Sequence, residues 1–150
     1  MIRVQEEDFS VETVHQELRQ RAGDCGALVS FVGLVRELGE DESIQSMTLE
    51  HYPGMTEKAL ADIAEQASQR WSLGATTIIH RVGTLHAGEQ IVLVATASRH
   101  RRDAFEAAEF IMDYLKTDAP FWKKEHTSDG DRWVEQRHTD VGSRERWQNK

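Results

Sequence analysis

The sequence predicts a two-layer α+β or α/β sandwich, with helices covering one face of a mixed sheet. β-rich runs and two main amphipathic stretches alternate loosely along the chain, and short turn-forming segments join pairs of the runs as hairpins do. Size agrees, because 150 residues close one core, and no internal repeat, low-complexity tract or linker divides them.

"IRVQ" reads as a short first strand. Ser10 stands where a helix N-cap should, ahead of Val11, Val14 and Leu18 at helical spacing, and this helix should end near Gly23. "GALVSFVG" (Gly26 to Gly33) has the β-branched and aromatic content of a buried strand. The acidic patch "ELGEDE" (Glu37 to Glu42) reads as a solvated loop. "IQSMTLEHY" (Ile44 to Tyr52) is a strand that Pro53-Gly54 breaks. Leu60, Ile63, Ala64, Ala67 and Trp71 then form one helical apolar stripe, with charged and polar residues on the other faces.

"ATTIIHRVG" and "QIVLVATAS" are β-rich runs separated by "TLHAGE", which supplies a turn glycine. A second main helix should place Phe105, Ala108, Ile111, Met112 and Leu115 inward. Ala119-Pro120 stops it, because a residue before proline avoids the helical region. "DGDRW" suggests a hairpin turn into a last strand, "RWVEQR". The expected organisation is one domain over residues 1–137 and a polar, frayed tail over 138–150.

Composition narrows the function classes. A net charge of −8 argues against a general nucleic-acid binder, since phosphate backbones attract basic surfaces. No apolar run approaches the ~20 residues of a membrane-spanning helix, and "MIRVQEEDFSVE" lacks the order of a secretory signal. Cys25 stands alone, without a disulfide framework or paired-cysteine motif, which fits a reducing cytoplasm. The seven histidines lack metal-ligand spacing, and there is no phosphate loop or nucleophile elbow, so no metal or resident cofactor is expected.

Within this acidic chain, three of the five lysines (Lys116, Lys123 and Lys124) fall inside "YLKTDAPFWKKE". Lys116 at a helix C-terminus suits the helix dipole whatever else it does. A strand after Pro120 would send Lys123 and Lys124 to opposite faces, one toward a pocket and one toward water. Phe121 and Trp122 fill a core or, beside lysine, dry a site and make an ammonium group more reactive. In "SRHRRDAF", Ser98 or a neighbour could cap the second main helix. His100, Arg101 and Arg102 would then crowd its first turn, where the dipole already favours an anion. Either an anionic ligand offsets that crowding, or Arg101 and Arg102 pair with acids such as Asp103 and Glu106. Arg36, at the end of "FVGLVRE", either faces a substrate or bridges to the acids that follow. Cys25 in "GDCGA" reads as a small packed residue.

"FVGLVRE", "LEHYPGM", "SRHRRDAFEAAEFIMDYLKTDAPFWKKE" and "GDRWVE", in order between about Gly26 and Arg137, resemble the large, catalytic subunit of molybdopterin synthase. The resemblance implies an α/β hammerhead fold with an added β subdomain. It implies sulfur transfer to cyclic pyranopterin monophosphate, making the dithiolene that later holds molybdenum. The sulfur would come from a thiocarboxylate on the C-terminal glycine of a small ubiquitin-like subunit ending in Gly-Gly. Two large subunits would form a central homodimer with one small subunit docked at each end, a heterotetramer.

By the same resemblance, Leu34, Val35 and Arg36 fall in the substrate-contacting segment, with Arg36 the contacting arginine. His100 and Arg101 match a pair that holds phosphate or pterin. Lys116 matches the lysine beside the incoming tail and Lys123 the second catalytic lysine, while Lys124 and Glu125 complete the binding segment. Arg137 matches an arginine that reaches the neighbouring site. Leu34 departs from the family's polar or basic residue, so contact there would come from backbone. Two other readings compete. One is a scaffold subunit that binds a partner's tail or an anionic ligand without catalysis. The other is a persulfide sulfurtransferase that uses Cys25.

Overall fold

The computed structural model describes residues 1–36, 44–127, 130–134, 145, 147 and 148. Its first sheet contains β1 (Ile2–Gln5), β4 (Ala75–Arg81), β6 (Gln90–Ser98) and β2 (Ala27–Leu34), in the order β1-β4-β6-β2. β1 runs parallel to β4 and the other pairs are antiparallel, which makes the sheet mixed as expected. β6 is buried on both faces, and this explains its nearly unbroken apolar run.

The helices divide between those faces. α1 (Val11–Ala22) sets Val14 and Leu18 against Ile79, Leu93, Ala95 and Ala97. Ser10 caps it, its hydroxyl accepting from the Thr13 N–H at 3.3 Å. The two main helices, α2 (Met55–Arg70) and α3 (Arg101–Asp118), pack on the opposite face around Leu60, Ile63, Ile78, Val92, Val94, Phe110 and Ile111. Helices therefore cover both faces of this sheet rather than the one face expected, because Ile78 and Ile79 are adjacent strand residues and need an apolar partner on each side.

A second sheet, wholly antiparallel, forms the small β subdomain. It joins β5 (Gly83–Leu85), β3 (Ile44–His51), β7 (Phe121–Thr127) and β8 (Gly130–Val134), in the order β5-β3-β7-β8. The run expected to continue as one strand to Gly83 instead ends at Arg81. Gly83, at φ +88°, turns the chain so that "GTL", expected as part of a turn, pairs with β3.

Other local departures have equally plain causes. β2 is only partly buried, with Phe31 and Leu34 exposed, because it lies at the sheet edge with β6 as its one partner. Phe105 is 59% exposed, since the buried stripe of α3 runs through Ala104, Ala107, Ala108, Ile111, Tyr114 and Leu115 and leaves Phe105 on its flank. The expected fraying fails at Trp147, which is 4% exposed. Its ring meets those of Trp71 and Phe110 edge-on, and its indole N–H donates to Asp113 Oδ2 at 2.6 Å. Among the described residues no helix is long and apolar enough to cross a membrane.

Candidate functional site

The chain passes from α3 to the second sheet through "KTDAPF". The Ala119 N–H closes α3 on Leu115 O, and Pro120 ends it. Pro120 O accepts the Thr56 hydroxyl at 3.1 Å, which fixes the turn against the start of α2. β7 begins at once and pairs with β3, so Phe121 lies opposite His51 and Lys123 opposite Leu49. The expected alternation follows: Phe121, Lys123 and Glu125 share one face of β7, while Trp122, Lys124 and His126 share the other.

His80, at the end of β4, lies beneath this junction. Its ring stacks on Phe121 with centroids 4.0 Å apart. Nδ1 lies 2.8 Å from Arg81 O, and since a carbonyl only accepts, Nδ1 carries the proton. Burial pushes this imidazole down to about 4. The bond to Arg81 opposes that shift, and the charges of Lys116 and His51 add to it. Lys116 of α3 and His51 of β3 are thus each close enough to act on His80 of β4.

His51 also faces Glu57 of α2, its Nε2 lying 3.7 Å from Oε1. That oxygen is buried and has no hydrogen-bond partner among the described residues, while Oε2 accepts the Gly54 N–H at 2.9 Å. His51 opens onto a cleft of about 480 Å³ between the two sheets, which Gln5, Thr48, Leu49, Val82 and Gly83 also line. Sequence reasoning assigned no role to His51, His80 or Glu57. The available signals were a histidine inside the apolar run "TTIIHRV" and another immediately before Tyr52-Pro53.

The remaining residues divide by sheet end. Arg36 follows β2 at the end where β6 starts, and Lys116 lies at that end too, because α3 runs back along β6. Arg36 is exposed and makes no ion pair among the described residues. Leu34 is 57% exposed, whereas Val35 is buried against Met47 and Leu85. The Val35 N–H donates to Glu89 O at 2.8 Å, and its carbonyl accepts from Gly88. On the outer face of β7, Lys124 Nζ lies 5.1 Å from the Trp133 ring centroid, and Trp122 tilts against Tyr52. Glu125 is buried on the inner face.

His100 and Arg101 are at the other end of α3. Lys116 follows Arg101 by 15 residues, which at 1.5 Å per residue is about 22 Å. One chain therefore gathers Arg36, Lys116 and Lys123 at one end and leaves His100 and Arg101 at the other. His100 takes the N-cap position but makes no side-chain cap bond, and the Ser98 hydroxyl instead donates to Ser72 O at 2.7 Å. Arg102 pairs with Glu106 at 3.2 Å, whereas Arg101 is exposed with no ion pair among the described residues. Arg137 lies outside the described residues, as do the acidic loop at Glu37 to Glu42 and the turn before Gly130.

The fold is α+β, and the relatives that share it make this chain an enzyme subunit of the sulfurtransferase class that serves molybdenum-cofactor biosynthesis. The model of the MoaE protein family matches residues 4–118, and the chain belongs to that family. It is 55% identical over 139 residues to the molybdopterin synthase catalytic subunit of Escherichia coli (strain K12), covering 93% of this chain and 92% of that protein. The solved molybdopterin biosynthesis MoaE protein from Burkholderia ambifaria MC40-6 superposes with a TM-score of 0.86 at 52% identity, over 99% of this chain and 97% of that one. A chain in the complex of subunits 1 and 2 of molybdopterin-converting factor from Helicobacter pylori 26695 superposes with a TM-score of 0.75 over 91% of each chain. At 19% identity it speaks for the fold alone.

Proposed function

We propose that this chain transfers sulfur from the C-terminal thiocarboxylate of a small ubiquitin-like subunit to cyclic pyranopterin monophosphate, forming the dithiolene of molybdopterin. The observation that carries the reading is local. Lys116, ending α3, and Lys123, on the inner face of β7, flank the one junction where His80 stacks on Phe121. Both reactants are anions. Like charges ~4 Å apart repel by roughly 4 kcal/mol at an effective dielectric near 20. Ammonium and guanidinium groups at the junction offset that repulsion and orient both partners.

Lys116 stabilises the negative charge on the acyl group as sulfur leaves, and Lys123 handles a proton at the pterin side chain. Arg36, with Leu34 and Val35 beside it, bounds the pterin side, and Lys124 and Glu125 complete the binding segment. The partner that supplies the tail is a separate small subunit, and the solved Helicobacter protein of the same fold is itself in a complex of subunits 1 and 2 of molybdopterin-converting factor. No resident metal or cofactor is needed, and a reduced Cys25 suits the cytoplasm.

His100 and Arg101, about 22 Å from Lys116 along α3, serve the site of a second copy in a homodimer, as does Arg137. The free edge of β2, where Phe31 and Leu34 are exposed, is the face we assign to that copy. Antiparallel pairing about a two-fold axis there sets the Arg101 end of one copy beside the Arg36 end of the other. The test mixes the purified chain with a thiocarboxylated small subunit and the pterin, then follows dithiolene formation. Wild type should form product, while Lys116→Ala and Lys123→Ala should stay folded and dimeric and form none. Tail binding without sulfur transfer by the wild type would overturn the reading in favour of a scaffold.

A further inference from the structure

The geometry points to His51, oriented by Glu57, as the acid–base residue that takes a proton from water when the sulfur-transfer site releases the small subunit's tail. The inference rests on the sulfur-transfer reading and deepens it. Once sulfur has bonded to a pterin carbon, it still joins the pterin to the tail's acyl carbon as a thioester. Release requires water. The water oxygen bonds to the acyl carbon, one of its protons passes to a base, and the carbon–sulfur bond breaks with its electron pair left on sulfur. The tail departs as a carboxylate, and its remaining proton goes to solvent or to the thiolate.

A lysine ammonium is a poor acceptor for that proton, because lysine ordinarily loses its own only near pH 10.4. Imidazole is the side chain suited to the task near neutrality. Two histidines lie at the junction. His80 is 4% exposed, with Nδ1 engaged by Arg81 O and one ring face covered by Phe121, so water does not reach it freely. His51 has the opposite placement, lining the cleft between the sheets.

Glu57 gives His51 its orientation. Its buried Oε1, without a hydrogen bond among the described residues, lies 3.7 Å from His51 Nε2, which leaves Nδ1 as the nitrogen available to water. A carboxylate behind an imidazole holds the ring and stabilises the imidazolium that forms on accepting a proton. The charged and titratable groups around His51 are Glu57 from α2 and His80 from β4, with Lys116 of α3 acting on the same His80, while Glu6, after β1, and Glu50, its neighbour on β3, line the same cleft. Lys116 at the acyl oxygen and His51 at the water would divide the work of one step.

The experiment measures single-turnover dithiolene formation from pH 5 to 8, with purified thiocarboxylated small subunit and pterin. The wild-type rate should fall toward acid as the base becomes protonated. His51→Gln should lower the pH 7 rate at least tenfold and remove that acid limb, with half-saturation by the small subunit changed less than twofold. Glu57→Gln keeps an oxygen for the Gly54 N–H but removes the carboxylate that holds the ring, so its pH 7 rate should fall severalfold with half-saturation by the small subunit unchanged. A His51→Gln rate within twofold of wild type, or a loss confined to half-saturation, would overturn the assignment. Should His51→Gln fail to fold, a Glu57→Gln rate within twofold of wild type overturns it instead. Absence of product with wild type would sink the sulfur-transfer reading. Normal His51→Gln turnover beside an inactive Lys116→Ala sinks only this inference.

Discussion

The imidazole of His80 lies parallel to Phe121 within 25°, with ring centroids 4.0 Å apart, and this contact helps join the first sheet to the second. The pairing requires a neutral ring, since burial holds the folded-state pKa at about 4 against an ordinary 6.5. The unfolded chain therefore binds a proton that the folded chain refuses, and folding is favoured at high pH. This contribution is complete above pH 6.5 and is lost as the pH falls toward 4, about 3 kcal/mol across the window. Urea denaturation at pH 7, 5.5 and 4.5 should show wild type losing about 2 kcal/mol more stability than His80→Phe, which keeps a ring against Phe121. Equal losses would mean that His80 is protonated in the folded protein.

Trp147 anchors the end of the chain. It stands edge-on to Trp71 and Phe110, donates to Asp113, and offers its carbonyl to Arg70 Nη1 at 3.0 Å. Trp147→Ala removes a large ring from a buried cluster and should cost about 3–5 kcal/mol in urea denaturation. A loss under 1 kcal/mol would show that the indole does not occupy the core in solution.

Periodicity made much of this fold legible. The stripe Leu60, Ile63, Ala67 and the cap Ser10 act locally, within one or two turns, and they stand where spacing puts them. Trp147 could not be read this way, because its burial depends on partners more than 30 residues away in α2 and α3. Phe105 misled for the opposite reason: its spacing suits a stripe, but the sheet beneath α3 decides which side is covered. At the site, clustering of scarce lysines drew attention to Lys116 and Lys123. His51 and His80 are 29 positions apart and meet only through β7, a tertiary relation that no spacing rule carries.

Cys25 separates two kinds of sulfur chemistry. Its thiol donates to Ala22 O at 3.4 Å and packs beside α1, just before β2 begins at the Ser98 end. Eight strand residues at ~3.3 Å each place it about 26 Å from the Arg36 end. Cys25→Ser should thus retain dithiolene formation within twofold of wild type, as measured with thiocarboxylated partner and pterin. Loss of turnover in a folded Cys25→Ser protein would assign the sulfur to a persulfide on this chain.

Gly26 sets how closely the start of β2 approaches the entry to α3. Its N–H donates to Ser98 O at 3.1 Å, and a methyl built on its Cα would fall 2.6 Å from Arg99 O. That oxygen belongs to the backbone immediately before His100, so no side-chain rotation can relieve the contact. Gly26→Ala should push apart β2 and the β6–α3 connection, at about 1–3 kcal/mol, the usual range for overpacking. It should also displace His100 and Arg101, which extend from the moved segment. Urea denaturation gives the first quantity. Pterin titration of the folded variant gives the second, as half-saturation rising severalfold while tail binding is unchanged. A Gly26→Ala protein with wild-type stability and wild-type pterin binding would mean that the close approach of Gly26 to Arg99 does not exist in solution.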